Sequence, residues 1–426
     1  MSTSDPTPQA PGRAATETAD APRRGFVRDR LGGLSRPFWV LWAGTLVNRL
    51  GTMVIPFLAF YLSSGRGLSV TQVGMVMAVG GAGSVVAQPL GGYLADRVGR
   101  RVTLCGGMVA TAVSMIVLGY VATLPALVAA AFACGVSVDL YRPASAALVS
   151  DLVPAHDRPR AFGLVYWAIN LGFACATSLG GLLARHGFGL LFWVDALTCL
   201  AFAGLIWRGV PEPPRVRAHR SEGGQDGFGT VLRDRVMLAY ALSSLAYLFV
   251  LLQYQTTLAL AMRRDQLSPA AYGLAIAVNG VVIVIVQPLV VRWLTERDRS
   301  RVLAAGMLVT GVGFGLSAVA STTAGYAATV VVWTLGEIIT ASVGQAVVAD
   351  LAPAHLRGRY QGLYGVAWSA AALVAPLGGT ALLAQGKLVL WPVCTALTVL
   401  AAAAQLLLGP AIRRRAEQEE SVAQGG

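Results

Sequence analysis

The chain has 426 residues, of which 55% are hydrophobic and 13% charged, and its mean hydropathy is +0.62. Too few polar residues remain to cover a water-soluble fold of this size, which excludes a soluble enzyme. The formal net charge of +12 would suggest nucleic acid in a soluble protein. Here the arginines fall between apolar segments, where anionic lipid and membrane topology account for them, so no nucleic-acid partner is expected. Cys105, Cys134, Cys175, Cys199 and Cys394 all lie inside apolar segments without metal-type spacing. They read as small buried side chains, with no disulfide framework, metal or cofactor implied.

Residues 1–36 are rich in Pro, Ala, Thr and charge and read as a disordered cytoplasmic tail. The Arg23–Arg24 pair is not followed by the apolar core of an export signal. A span needs roughly 20 apolar residues, and that criterion predicts twelve. Six lie near 37–62, 71–95, 102–122, 124–150, 159–184 and 187–208, forming one unit over 37–208. Six more lie near 236–262, 270–293, 301–321, 323–350, 358–384 and 388–411, forming a second over 236–411. Residues 209–235, with Pro211, Pro213, Pro214 and a Gly-rich stretch, have the composition of a cytoplasmic linker. Residues 412–426 form a second cytoplasmic tail.

The two units are copies at a constant offset of 199 residues, which takes Ser69 to Ser268. Gln88–Leu90 matches Gln287–Leu289, and Asp151–Leu164 matches Asp350–Leu363. Six spans per copy is an even number, so both copies enter the membrane in the same sense. With both termini inside, only Arg66, Arg185, Arg263, Arg264 and Lys387 fall outside, as the enrichment of cytoplasmic loops in basic residues requires.

Between spans two and three, a tight turn carries Gly92, Asp96, Arg97, Gly99, Arg100 and Arg101. Gly99 permits the reversal. The pattern resembles the loop signature of the major facilitator superfamily of secondary transporters. That resemblance covers about residues 37–411. It implies an all-α integral membrane fold, with twelve transmembrane helices as two pseudo-symmetric six-helix bundles around a central cavity lined by spans one, four, seven and ten. It also implies a cytoplasmic latch, in which Asp151 and Asp350, ending spans four and ten, meet Arg97, Arg100 and Arg101 or Arg297, Arg299 and Arg301. Thr295 and Asp298 replace the Asp and Gly of the second copy, so only the first copy is expected to work as a full latch. Span five carries Gly163, Gly172, Ala176, Thr177, Gly180 and Gly181. It is similar to the superfamily's antiporter helix, with Ala-Thr in place of Gly-Pro, and small residues there let helices approach closely.

Ionisable groups deep in a bilayer are functional candidates by default. Arg49, Asp139, Arg142, Asp195 and Glu337 qualify, four of them on cavity-lining spans. Asp139 and Arg142 are three apart and share a helical face, which suggests a structural ion pair. Glu337 has no basic neighbour on its own span. Burial penalises the charged form of a carboxylate, which makes Glu337 the first proton-coupling candidate, ahead of Asp139 and Asp195; pairing of Glu337 with Arg49 or Arg142 across the cavity is the alternative. Arg142 also stands at the superfamily's span-four arginine. Asn48, Arg49, Arg142, Gln253, Tyr254, Gln255 and Trp333 are cavity and substrate candidates. Tyr166, Trp167, Tyr364 and Trp368 offer aromatic surface for a substrate or for helix packing.

Together these features suggest a proton-coupled exporter of a small organic molecule or drug, most like the drug:proton antiporter branch, in a bacterial cytoplasmic membrane. Its partners are a small-molecule substrate, protons and the lipid bilayer, and a monomer suffices. The alternatives are proton-coupled uptake of a small polar or zwitterionic solute, or a transporter-like sensor. Lys387 is the only lysine and Leu388 follows it, so no ATP-binding Gly-rich loop ending in Lys-Ser or Lys-Thr exists.

Overall fold

The computed structural model describes residues 33–154, 157–212, 228–295, 297–353 and 356–425. Most of the expected N-terminal tail and the middle of the linker lie outside these residues. Every regular element among the described residues is helical. Span one comprises Arg36–Gly51 and Val54–Phe60, continued by a π turn over Tyr61–Gly65. Spans two to six are Val70–Arg97, Arg100–Tyr120, Leu124–Leu152, Arg158–Leu183 and Gly189–Gly209. A short helix, Phe228–Arg233, precedes span seven, which runs over Arg235–Leu251, a 3-10 turn at Leu252–Gln255, and Thr257–Arg264. Spans eight to twelve are Pro269–Thr295, Arg299–Leu316, Thr323–Leu351, Arg357–Gln385 and Lys387–Gly425.

Local chemistry sets these boundaries. Ser69 opens span two with a capping box, its hydroxyl accepting the Gln72 N–H at 3.3 Å while the Gln72 side chain accepts the Ser69 N–H at 3.0 Å. Thr322, Asp298 and Asp234 cap spans ten, nine and seven more simply, each side-chain oxygen accepting first-turn backbone N–H groups without a reciprocal bond. Gly99, at φ +120°, makes the reversal between spans two and three.

The structure departs from the sequence expectation in three places. Spans one and seven, expected as continuous helices, are each broken near mid-depth. Span nine ends at Leu316 instead of 321; its 18 residues include Arg299 and Arg301, so no full-length apolar window avoids both. Eleven other segments among the described residues are long and apolar enough to cross a membrane. Span twelve continues as one helix to Gly425, through the stretch expected to be a tail.

Packing repeats between the copies. In the first, span one packs on five and six, two on four, and three on four and six. In the second, seven packs on eleven and twelve, eight on ten, and nine on ten and twelve, which is the same set shifted by six. Span two against eleven and span five against eight join the halves. A Cβ added at Gly181 would lie 2.9 Å from Ala270 Cα and 3.0 Å from the Pro269 carbonyl oxygen, so glycine is what lets spans five and eight touch there. Phe57 and Phe60 close on Tyr272 of the other half, each with ring centroids 5.5 Å apart. These contacts cluster toward the face opposite the arginine-rich loops.

Candidate functional site

Two connected pockets lie between and within the halves. The first, about 260 Å³, is lined by Asp139 and Arg142 of span four, by Tyr254, Gln255 and Thr256 at the break in span seven, and by small residues of span two. The second, about 280 Å³, sits in the C-terminal half and holds Glu337 among Tyr166, Tyr240, Tyr247, Tyr364 and Trp368. Trp368 lines both.

In the first pocket the Arg142 guanidinium lies 2.6 Å from the Asp139 carboxylate. The contact points away from the hydrogen-bond direction, since that Asp139 oxygen has no hydrogen-bond partner. It is therefore an ion pair by proximity. Asp139 is 16% exposed and Arg142 53%, which places the arginine head in the open part of the cavity. Arg49 does not join them. Its Cβ backs against Gly172, its guanidinium lies 5.6 Å from the centre of the Tyr141 ring, and its Nε is buried without a partner.

In the second pocket, among the described residues, Glu337 has no cationic partner. Its carboxylate accepts one hydrogen bond, from Asn279 Nδ2 of span eight at 2.7 Å, and the same amide reaches Thr334 Oγ1 at 3.0 Å. One turn on, Thr340 Oγ1 and the Tyr247 hydroxyl share a hydrogen bond of 2.6 Å. A carboxylate so placed can bind and release a proton without breaking an ion pair. Asn279 lies on span eight, outside the spans expected to line the cavity, and Thr334, Tyr240 and Tyr247, on spans ten and seven, were not among the sequence candidates. A search for any polar side chain in an apolar run would have found Asn279.

Several candidates point elsewhere. Asn48 donates to Cys199 Sγ at 3.2 Å, toward span six. Asp195, 2% exposed, turns to the break in span one, where it accepts the Val54 N–H at 3.3 Å. Gln253 is fully buried and bonds the carbonyls of Phe249 and Ala375 and the hydroxyl of Thr257. Because the 3-10 turn advances 120° per residue, its neighbours Tyr254 and Gln255 face the cavity, with the Gln255 amide on the Tyr254 hydroxyl at 2.9 Å. Trp333 is buried in a stack with Tyr254 and Phe314, at 5.8 and 5.3 Å.

At the arginine-rich face, Arg100 pairs with Asp151 and Arg299 with Asp350. These are equivalent positions in the two copies, although the second carries Thr295 and Asp298 where the first has Asp96 and Gly99. Asp298, standing where Gly99 does, caps span nine and pairs with Arg413. Arg101 takes Glu212 through its backbone N–H at 3.3 Å and stacks on Trp207 at 4.6 Å. Arg97 lies over the Tyr93 ring at 5.7 Å. The side chain of Asp96 is outside the described ones, and Gly92 has open space around it. On span five, Gly172 meets span one, Gly180 meets Phe57, and Gly163 has no neighbour within 4 Å of a Cβ.

Two copies of a six-helix bundle, with pockets that hold Asp139, Arg142 and Glu337 between them, define a secondary membrane transporter. The Major Facilitator Superfamily profile matches residues 41–264 and 254–425, and the chain belongs to that family. It is 26% identical over 362 residues to a Na(+), Li(+), K(+)/H(+) antiporter of Planococcus maritimus, covering 76% of this chain and 84% of the relative. It is 28% identical over 171 residues to the quinolone resistance protein NorA of Staphylococcus aureus, covering 40% and 44%. Among solved structures, a peptide transporter POT in complex with sulfate superposes with a TM-score of 0.76 at 18% identity, covering 93% and 98%. A D-xylose-proton symporter gives 0.70 at 19%, covering 86% and 96%. These likenesses show the fold.

Proposed function

We propose that the chain is a proton-coupled exporter of a small organic molecule, working by alternating access in a bacterial cytoplasmic membrane with both termini in the cytoplasm. The observation that carries this reading is Glu337, which lies in a cavity-lining pocket with a neutral amide as its partner and no cation beside it. Protonation there removes a charge from the pocket wall, and an organic substrate lodged among the tyrosines competes with the proton for the same carboxylate. Asn279 sits on span eight, which packs on span five of the other half, so the state of Glu337 is felt at the sliding interface. The antiporter-like glycines of span five and the antiporter and resistance relatives favour export over uptake. The Asp139–Arg142 pair facing Glu337's half is what would suit a zwitterionic solute instead, and it supports uptake as the second reading. The Arg100–Asp151 and Arg299–Asp350 pairs, with the Asp96 loop, serve as the cytoplasmic latch of the opposite state.

Inside-out vesicles with an acidic lumen test direction. A fluoroquinolone, ethidium and Na⁺ are offered in turn, and export predicts accumulation of at least one against its gradient. Accumulation only in right-side-out vesicles driven by external acid would establish symport and overturn the reading.

A further inference from the structure

Asp195 spends a buried carboxylate on a place where the sequence shows no need of one. Span one stops at Gly51; the Met53 N–H turns back to the Gly51 carbonyl at 2.7 Å, and the Val54 N–H, which opens the second segment, has lost the carbonyl partner that a continuous helix would supply. The Asp195 carboxylate reaches across from span six and replaces it, accepting the Val54 N–H at 3.3 Å. Its other oxygen lies 3.8 Å from Cys199 Sγ. Span six can come this close because residue 51 is glycine: a Cβ there would lie 1.9 Å from Thr198 Oγ1. The segment so held carries Phe57 and Phe60, the two rings that close on Tyr272 of the other half. The related break in span seven is held without any charge, by Gln253 and Thr257.

We infer that Asp195 is a gate-positioning residue: it pins the outer segment of span one to span six, and so sets how Phe57 and Phe60 meet Tyr272 when the outer face is shut. The proton exchanged during transport is not its business. This inference rests on alternating access in the proposed function, but not on export or on any substrate.

The test uses spin labels at Ser64→Cys and Arg263→Cys, at the outer ends of spans one and seven, with the native cysteines changed to serine. The distance distribution needs neither substrate nor gradient, so it stands whether or not the export reading survives. Asp195→Asn keeps an oxygen that accepts the Val54 N–H, and its distribution should match the parent's. Asp195→Leu removes the cap and should raise the long-distance, open-gate population by about threefold to thirtyfold, the range set by loss of a helix cap. An unchanged distribution in Asp195→Leu would overturn the inference. So would an Asp195→Asn protein that exchanges substrate yet no longer couples to protons, and that arm decides the matter even if Asp195→Leu does not fold.

Discussion

The two halves share one chain path and one packing scheme, yet they treat their deep carboxylates in opposite ways. In the N-terminal half both are engaged: Asp139 by the guanidinium of Arg142, Asp195 by the backbone at the break in span one. In the C-terminal half Glu337 is held by a single neutral amide. A carboxylate that already neutralises a cation gives up that ion pair when it takes up a proton, and one that caps a helix end is already accounted for by the fold. One held by a single amide gives up no ion pair, and this asymmetry within a symmetric frame is the reason Glu337 is proposed as the proton site.

The largest effect is expected at that site. Glu337→Gln imitates the protonated acid at every pH, so gradient-driven accumulation should fall to background while substrate-for-substrate exchange persists; vesicle assays run in both modes measure this. Retained accumulation would place the proton elsewhere. Next comes the interface. Gly181→Val puts side-chain atoms where even a Cβ would lie 2.9 Å from Ala270 Cα, so all transport modes should collapse together in a protein that still inserts. A rate near the parent's would mean that spans five and eight separate more easily than their packing suggests.

Asp139→Asn should do less. Arg142 is 53% exposed, so its loss of a partner is softened by cavity water and should cost about 1 kcal/mol of stability, lowering accumulation and exchange by the same modest factor. A selective loss of proton coupling in this variant would reverse the comparison between the halves. The smallest effect belongs to Asp234, at the arginine-rich end of span seven. Burial resists its ionisation, but the Arg415 and Tyr360 hydrogen bonds and the Met237 N–H outweigh that and hold its carboxyl down to about 2. A carboxyl depressed in the folded state contributes stability that is present above its unfolded pKa of about 3.9 and is lost as pH falls through about 2. Asp234→Asn should therefore lower the melting temperature by the equivalent of about 1 kcal/mol near neutrality, and the gap to the parent should shrink on acidification. A gap that widens in acid would show that the Arg415 contact is not the source.

The broad architecture was legible because it depends on hydropathy and repetition. Spans two, three and ten announce themselves by apolar runs with Ser69, Gly99 or Thr322 at their edges. The break in span one has a local mark in Pro56, which cannot supply the N–H that a continuous helix would give to the Thr52 carbonyl. The break in span seven has no proline near it, and the contact of Asp195 with the first break, remote in sequence, was not legible. Polar contacts across such distances, Asn279 to Glu337 and Asn48 to Cys199, are fixed by helix rotation, which apolar runs without a clear stripe do not specify.

The central claim, that Glu337 is the group whose protonation moves the transporter, is tested most directly without any substrate. Labels at Phe162→Cys and Leu289→Cys, exposed on spans five and eight toward the arginine-rich face, report how far the halves part there. Distances are followed from acid, through neutrality, to mildly alkaline pH. The parent and Asp139→Asn should shift with pH, and Glu337→Gln should give one pH-independent distribution. A parent that does not respond, or a Glu337→Gln protein that still does, would contradict the account.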